Sequence, residues 1–486
     1  MTAMPAFESA WIGLLLGVVG LIVLVGTRGT RLRRRLDSHG SGRWAKGRDL
    51  NLLQADPSSV AGAVVGWSGH SALRLPDEDN LLLFGVQRSG KTSTVVVPSL
   101  LNWPGTAVAT STKEELVSLT GRFRQRRGPV YVLAPMDSDV EWVKQLGLSA
   151  VAWNPLSDVT TTGFAAELAD VFTSDGKASH SPHWYHSASN LLTGLFLVAH
   201  RLEGDLSMVL DFLNSTALPA YAALGKHAGD RAEGILVGFA RTPQEEAGSI
   251  ISTARAALSL WLDDRVAAAS SAKSTFPQLA IDELLDAGGT LYLVAPAEDA
   301  DRCRPFFTAL LGSLLRRATA KARTQGGILS PRLLIALDEA ANFARVPRLV
   351  SYVSTGPGQG IQALLCFHDL AQLRAGYGQD GAATIWNNCR ARLLLPGQAD
   401  LSTLELFSKS MGTETVLYRS RSWSKSGGSS SETRTARALA TPDQLRRSDN
   451  PVLLFRSAPP ARLNFRRWDQ VPEWRDLVEA PVTTGA

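Results

Sequence analysis

The segment Gly85-Val86-Gln87-Arg88-Ser89-Gly90-Lys91-Thr92 follows at once on the apolar run Leu81-Leu82-Leu83-Phe84. A loop of the form GxxxxGK[ST] between a buried strand and a helix turns successive backbone N–H groups into one concavity, where the positive end of the helix adds to them. It belongs at the end of a strand inside a layered α/β sheet, so it constrains the fold more than any other feature of the chain. The chemistry it implies is phosphate binding. The backbone from Gly85 through Ser93 would cradle ATP, Lys91 would reach the β and γ oxygens, and the Thr92 hydroxyl would ligate Mg²⁺. The helix expected over Ser93 to Leu101 meets Pro98, which should end or kink its first turns.

Further short apolar runs bounded by Gly or Pro read as buried parallel strands. They are Thr106 to Ala109 and Val130 to Leu133, then Thr290 to Val294, Leu333 to Leu337, Ala363 to Phe367, Arg392 to Leu395 and Val452 to Phe455. Between the two groups, residues 163–263 hold no comparable strand but several amphipathic stretches, including Ser187 to Ala199 and Pro243 to Leu262. The second opens on Thr242-Pro243-Gln244-Glu245, which predicts a Thr242 N-cap with proline at the first helical position. Strand-and-helix alternation broken by one helical block predicts an α/β domain carrying an all-α insertion. The Ser/Arg/Gly-rich stretch 419–437 reads as a surface loop or hairpin tip.

The run Arg332 to Leu337 ends in Asp338-Glu339. After a strand, such a pair is often no more than a helix cap. Beside a phosphate loop it gains a second meaning, in which Asp338 holds Mg²⁺ and Glu339 polarises the attacking water. Well over two hundred residues separate Lys91 from Asp338, and small switch GTPases place the two motifs much closer. A glutamate next to the Mg²⁺ acid, with a strand intervening between the motifs, suits a RecA-like translocase.

Near the N-terminus, Trp11 to Gly26 is uncharged and apolar, and Arg28, Arg31, Arg33, Arg34 and Arg35 follow it. The run is near the lower limit for a spanning helix, roughly 17–25 residues. Basic residues after it place the N-terminus outside and the rest of the chain in the cytoplasm. A cleaved signal peptide has the reverse order of charge and apolar run. The net charge of +5 is too thinly spread over 486 residues to argue for a polyanionic partner by itself. Cys303, Cys366 and Cys389 show no paired spacing, so neither a zinc site nor a disulfide framework is suggested. His180, His183 and His186 have no nearby acid or cysteine to complete a ligand set.

Several matches outside these generic motifs resemble the TraG/TraD family of type IV coupling proteins, relatives of the FtsK and RecA-like hexameric motors. They include Thr112-Lys113-Glu114, Trp153-Asn154-Pro155-Leu156, Trp184 with Leu191-Leu192, Asp369 to Leu373, Tyr377-Gly378 and Asn388-Cys389, and Pro459-Pro460. The resemblance runs from about Arg43 to Trp468. It departs at Thr112 and His368, where the family usually carries Asp and Gln; the second departure moves any γ-phosphate-sensing role towards Gln372. Arg390 stands where the family places an arginine finger acting across a subunit interface.

The resulting fold expectation is an α/β, RecA-like P-loop NTPase sheet with an inserted all-α subdomain and an N-terminal transmembrane helix. Its parts are an anchor over 1–30, a linker with short strands over 31–75, the nucleotide-binding domain in two pieces, 76–162 and 264–470, the insertion 163–263 and a tail 471–486. The resemblance implies a membrane-anchored homo-hexamer at the cell membrane. It would hydrolyse ATP to move DNA, single- or double-stranded, with a relaxase into a type IV secretion channel. Lys91, Glu339, Gln372 and Arg390 would act in catalysis, with Thr92 and Asp338 on the metal. The same motifs would also serve a coupling ATPase delivering protein substrates only, or an ATP-switched docking receptor with little turnover.

Overall fold

The computed structural model describes residues 39–53, 62–137, 140–177, 182–227, 229–343, 349–424 and 427–479. The expected anchor, Trp11 to Gly26, lies outside the described residues, and within them no helix is long and apolar enough to cross a membrane.

The described residues form one ten-stranded mixed sheet and two separate two-stranded ribbons. The first ribbon pairs β1 (Val64–Ser68) with β2 (Ser71–Arg74). The large sheet contains β3 (Leu81–Phe84), β4 (Thr106–Ser111), β5 (Val130–Leu133), β6 (Ser149–Ala150), β7 (Thr290–Val294), β8 (Leu333–Leu337), β9 (Ile361–Phe367) and β10 (Ala391–Leu394). The second ribbon is β11 (Thr413–Ser424) with β12 (Gly427–Ala438), and β13 (Val452–Phe455) and β14 (Ala461–Arg462) complete the sheet. Across the sheet the order is β14-β13-β10-β3-β9-β8-β4-β7-β5-β6. All neighbours from β10 to β6 run parallel, while β13 and β14 are antiparallel at one edge.

Strands β3, β8 and β9 are buried along their whole length; β3 and β8 are wholly apolar, and the one polar residue of β9, Gln362, accepts from Ala63 N and donates to the carbonyls of Pro76 and Asp79. Because successive side chains alternate faces, the sheet separates two cores. Leu82, Phe84, Val108 and Leu133 face one of them, and Leu81, Leu83, Ala107 and Ala109 the other. The second core is closed by the β1–β2 ribbon, by α1 (Val97–Asn102) and α2 (Glu115–Arg124), and by Trp474 near the C-terminus, whose ring meets Trp67 edge-on at 5.6 Å. Arg124 is fully buried there. Its guanidinium donates to the carbonyls of Trp103 and Gly105 and to Thr290 Oγ1, and burial pushes its pKa down to about 10.

The first core is shared with the helical block. This begins at α3 (Thr162–Lys177) and continues through α4 (Pro182–Arg201), α5 (Leu206–Ser215), α6 (Asp230–Ala240) and α7 (Gln244–Ala257) to a short helix ending at Ser270. Phe172 of α3 stacks obliquely on Trp261 at 4.7 Å, and Trp261 meets Phe306 at 6.1 Å. Phe306 belongs to α8 (Ala297–Thr324), a long helix that binds the block to the sheet. The entry to the block is Trp153-Asn154-Pro155-Leu156. Trp153 is buried against Phe306 at 5.7 Å, Asn154 Oδ1 accepts from Leu156 N at 3.0 Å, and Asn154 Nδ2 donates to Gly204 O at 3.0 Å. These contacts give that signature a structural role as the hinge between sheet and helices.

Two local expectations are corrected. Helix α7 starts at Gln244 with Pro243 at its N-cap, and no side chain caps it. Pro243 has ψ of 143°, outside the helical range, so Thr242 is one residue too early to cap the first turn. After the phosphate loop, Pro98 does not end the helix. The turn Thr92–Val96 is a π-turn, closed by Val97 N donating to Thr92 O, that runs on into α1 with Pro98 just beyond it, so the irregularity around the proline is this π-turn and not a helix end. The Ser/Arg-rich stretch is the β11–β12 ribbon, in register from Thr413↔Ala438 to Ser424↔Gly427. Its base is tied to residue 42 by a hydrogen bond from Gly42 N to Thr413 O at 2.7 Å.

Candidate nucleotide site

The phosphate loop leaves the C-terminal end of β3 and is held by backbone constraints. Gly85 N donates to Phe367 O at 3.0 Å, which ties the loop to the end of β9. A Cβ on Gly85 would fall 2.6 Å from Ser89 Oγ and 2.9 Å from a Leu395 methyl, so any larger residue would have to displace both side chains. Gly90 has φ of +91°, and Arg88, at φ +62°, also occupies the left-handed region. Gln87 and Arg88 carry the exposed turn of the loop. Ser93, in the first helical turn, directs its hydroxyl back to Gly90 O at 3.4 Å. Lys91 folds across the loop. The residue is 7% exposed, and its ammonium donates to Gly85 O at 2.9 Å and Val86 O at 3.2 Å. A cation held only by neutral carbonyls in a glycine cradle is disposed to exchange them for phosphate oxygens.

The acidic strand end lies two strands away, because β9 sits between β3 and β8. Packing nevertheless closes the gap, and Thr92 Oγ1 hydrogen-bonds Asp338 Oδ2 directly. The Asp338 carbonyl accepts from Thr110 Oγ1 at 2.8 Å, which fixes the backbone at the end of β8 from β4. The other carboxylate oxygen, Asp338 Oδ1, is buried with no hydrogen-bond partner. Burial raises the Asp338 pKa, outweighing the lowering by Thr92 and by Lys91. A buried hydroxyl–carboxylate pair with one orphaned oxygen fits the donor set of a hard, oxygen-seeking divalent cation such as Mg²⁺.

The raised pKa also sets the sign of a stability effect. A carboxyl whose folded pKa is raised binds protons more readily in the native state, so nucleotide-free stability falls as pH rises through that window. Asp338→Asn replaces the charged orphan with a neutral one. The variant should therefore unfold later than wild type at pH 7.5, by about 1–3 kcal/mol. That gain should shrink as the pH is lowered towards 4, and Mg²⁺-nucleotide should stabilise wild type only. Thermal unfolding across pH, with and without Mg²⁺-nucleotide, checks it.

Glu339 follows in the left-handed region at φ +57°, a conformation that costs a non-glycine residue about 1–2 kcal/mol. Its Oε1 lies 3.8 Å from His368 Nε2. His368 is the first residue after β9, and its backbone is clamped on both sides. Its N–H donates to Gln372 Oε1 at 2.7 Å, and its carbonyl accepts from Gln398 Nε2 at 2.7 Å. Gln372 sits in the first turn of α9 (Leu370–Asn388), where Asp369 Oδ1 accepts from Gln372 N at 2.7 Å. The glutamine oxygen is thus committed to the N–H of His368, just before the Asp369 N-cap, and the side chain facing Glu339 is that of His368.

Arg390 lies elsewhere. It precedes β10, and the pairing of Ala391 with Leu81 sets it at the N-terminal end of the strands, about 13 Å of strand away from the phosphate loop. There Arg390 Nη1 is 3.7 Å from Asp79 Oδ1, and Arg456 Nη2 is 2.7 Å from Asp79 Oδ2. Within one chain it is no part of the site. Lys113 is exposed just after β4. Of the histidine trio, His183 lies 3.9 Å from Glu246 and His180 is outside the described residues. Among the described residues no cluster of three His, Cys, Asp or Glu could hold a metal. The reading of the sequence did not single out Thr110, Gln398 or Asp79, whose roles come from partners distant in the chain and carry no local pattern.

Comparison with known proteins agrees with this architecture. A conjugal transfer protein TraG of Escherichia coli is 28% identical, over 90% of this chain and 76% of that protein. A VirD4 protein of Rhizobium radiobacter is 24% identical, over 93% of this chain and 67% of that one. Among solved structures, the plasmid coupling protein TrwB in complex with a non-hydrolysable ATP analogue superposes with a TM-score of 0.64. It covers 88% of this chain and 93% of its own at 18% identity, a likeness of fold. The family model for type IV secretory system conjugative DNA transfer matches residues 43–474, and the chain belongs to that family.

Proposed function

We propose that this chain is the membrane-anchored ATPase of a conjugative transfer apparatus, hydrolysing ATP to recruit and move DNA, with its relaxase, into a type IV secretion channel. The observation that carries the reading is the contact of Thr92 with Asp338, with Glu339 beside it and Lys91 across the loop. Solved forms of the related TrwB hold a non-hydrolysable ATP analogue and ADP with Mg²⁺, which supports ATP and Mg²⁺ as the ligands here. The metal would neutralise charge on the β and γ oxygens. Lys91 binds those oxygens. Glu339 orients a water whose oxygen attacks the γ-phosphorus as the bond to the β-bridging oxygen breaks, and its carboxylate takes the proton, leaving ADP and phosphate.

Arg390 acts across the interface of a ring of six copies, since it stands at the far end of the strands from its own phosphate loop. The run Trp11 to Gly26 anchors the ring with the N-terminus outside and the ATPase domain in the cytoplasm. DNA is held through its backbone, without sequence preference. Full-length protein in detergent should therefore hydrolyse ATP several-fold faster with DNA, an effect that fades between 50 and 200 mM salt as phosphate contacts are screened, by about 10³ in affinity for six contacts. ATPase rates and fluorescence-anisotropy titrations against salt provide the check. Turnover indifferent to DNA, with no salt-dependent binding, would instead indicate protein cargo alone.

A further inference from the structure

We propose that the β11–β12 ribbon is a membrane-facing arm, which binds the headgroups of anionic phospholipids beside the anchor through a basic face that includes Arg419 and Arg434. The inference rests on the anchor reading above, and it concerns a surface that the ATPase chemistry does not use.

The direction of the ribbon carries the argument. Its base is joined to the first described residues of the chain. Gly42 N donates to Thr413 O at 2.7 Å, Thr413 Oγ1 to His39 O at 3.1 Å, His39 N to Thr415 Oγ1 at 3.1 Å and Thr415 Oγ1 to Gly40 O at 3.0 Å. A Cβ on Gly40 would run into Thr413, and one on Gly42 would fall 2.7 Å from Thr413 O, so glycine at both positions lets the two backbones lie together. The bridge between Ser41 and Glu414 is antiparallel. Followed backwards from Gly42 to His39, the chain therefore moves from Thr413 to Thr415, towards the tip of the ribbon. The ribbon thus points to the side from which the N-terminal segment arrives, the side of the apolar run Trp11 to Gly26.

Lengths agree with that direction. From Thr415 to Ser424 the strand extends about 30 Å. The chain between Gly26 and His39 spans at most about 45 Å, so the ribbon is long enough to cover much of the distance from its base to the bilayer.

The ribbon also lacks a partner within its own chain. Residues 417–420 and 430–437 are exposed, with Leu417 at 40% and Tyr418 at 55%. A two-stranded ribbon alone in water is marginal, so one this long is best explained by a surface that it meets. Its chemistry says which surface. At the base Arg437 is paired with Glu414, but further out Arg419, Arg421 and Arg434 face a single acid, Glu432. The sequence Arg419-Ser420-Arg421-Ser422-Trp423-Ser424 alternates, and successive residues of a strand take opposite faces, so a basic and aromatic face is separated from one of hydroxyls. Arginine beside Tyr and Trp is the composition of a bilayer interface, where the cations meet lipid phosphates and the rings sit at headgroup level.

The test uses full-length protein in vesicles of phosphatidylcholine alone or with phosphatidylglycerol, each carrying a headgroup spin-labelled lipid as quencher. Cys303, Cys366 and Cys389 are all buried, so a bimane probe attaches selectively at Ser420→Cys, or at Ser249→Cys on α7 as control. Quenching at Ser420→Cys should be at least about threefold greater with phosphatidylglycerol than without. It should fade at 1 M salt, where the Debye length is about 3 Å. Adding Arg419→Ser with Arg434→Ser should remove the lipid dependence and leave the unfolding midpoint unchanged. Flotation separates the two levels of the argument. Protein that does not float with neutral vesicles overturns the anchor reading, and the ribbon's role falls with it. Protein that floats but shows no lipid-dependent quenching at Ser420→Cys, or equal quenching at Ser249→Cys, overturns the ribbon's role alone. So does a label that responds to duplex DNA in neutral vesicles and ignores phosphatidylglycerol, which would make the ribbon a nucleic-acid surface.

Discussion

Lys91→Ala should abolish hydrolysis, with kcat/KM for ATP falling by about 10³ or more, equivalent to at least ~4 kcal/mol of transition-state stabilisation. The size of the effect follows from where the ammonium sits. It is buried in the loop, 2.9 Å from Gly85 O and 3.2 Å from Val86 O. Counter-charge supplied from such a dry, preorganised position is worth far more than from an exposed lysine. Binding should weaken as well, because Lys91 contacts the phosphates in the ground state, so KM rises while kcat falls. Removing the side chain frees only the carbonyls of Gly85 and Val86 and leaves the loop's backbone bonds, such as Gly85 N to Phe367 O, in place, so the fold should survive. Coupled-enzyme ATPase assays with a thermal unfolding control decide it. Turnover within a few-fold of wild type would mean that the loop is not the hydrolytic site.

Glu339→Gln separates binding from chemistry. A neutral amide of the same shape still occupies the φ +57° position at the end of β8, but it cannot take a proton from water. Turnover should fall about 10²–10⁴-fold, while ATP affinity stays within a few-fold of wild type. The variant should therefore trap ATP, and single-turnover quench-flow with nucleotide binding measured in parallel reads both quantities. A large loss of affinity together with rate would place Glu339 on the metal instead. Asp338→Asn is expected to show that pattern, because its carboxylate is bonded to Thr92 and has its second oxygen free.

The contrast between these acids shows how burial divides their tasks. Asp338 is 8% exposed, and its raised pKa reflects desolvation that a divalent cation would relieve. Glu339 is partly exposed at the same strand end, 3.8 Å from His368 Nε2. One position suits a permanent metal ligand and the other a group that must exchange protons. Around both, the fold contributes stiffness. Thr110 holds the Asp338 carbonyl, Phe367 holds Gly85, and Gln372 with Gln398 hold His368, so each reacting side chain rises from a backbone pinned by a neighbouring strand or helix.

Much of this molecule was legible in the sequence because its signals are local. Leu81–Phe84, Val130–Leu133, Thr290–Val294, Leu333–Leu337 and Val452–Phe455 are strands where their apolar runs predict them. A strand buried on both faces admits little but apolar side chains, and its ends are marked by Gly, Pro or charge. The phosphate loop is legible for the same reason, since glycines at fixed spacing encode backbone geometry directly. The β11–β12 ribbon is less so, because strands with solvent on both sides have no apolar alternation to announce them.

Tertiary structure decided which side chains meet. That β9 runs between β3 and β8, that Thr92 touches Asp338, that His368 faces Glu339 while Gln372 turns back to the His368 N–H, and that Arg390 sits with Asp79 at the opposite end of the strands are all consequences of strand order. Strand order depends on packing between segments hundreds of residues apart, and no local pattern encodes it. The phosphate loop and the acidic pair could thus be named from the sequence by themselves. Their alignment around one site, with a histidine between them, came only from burying both faces of a parallel sheet under two separate cores.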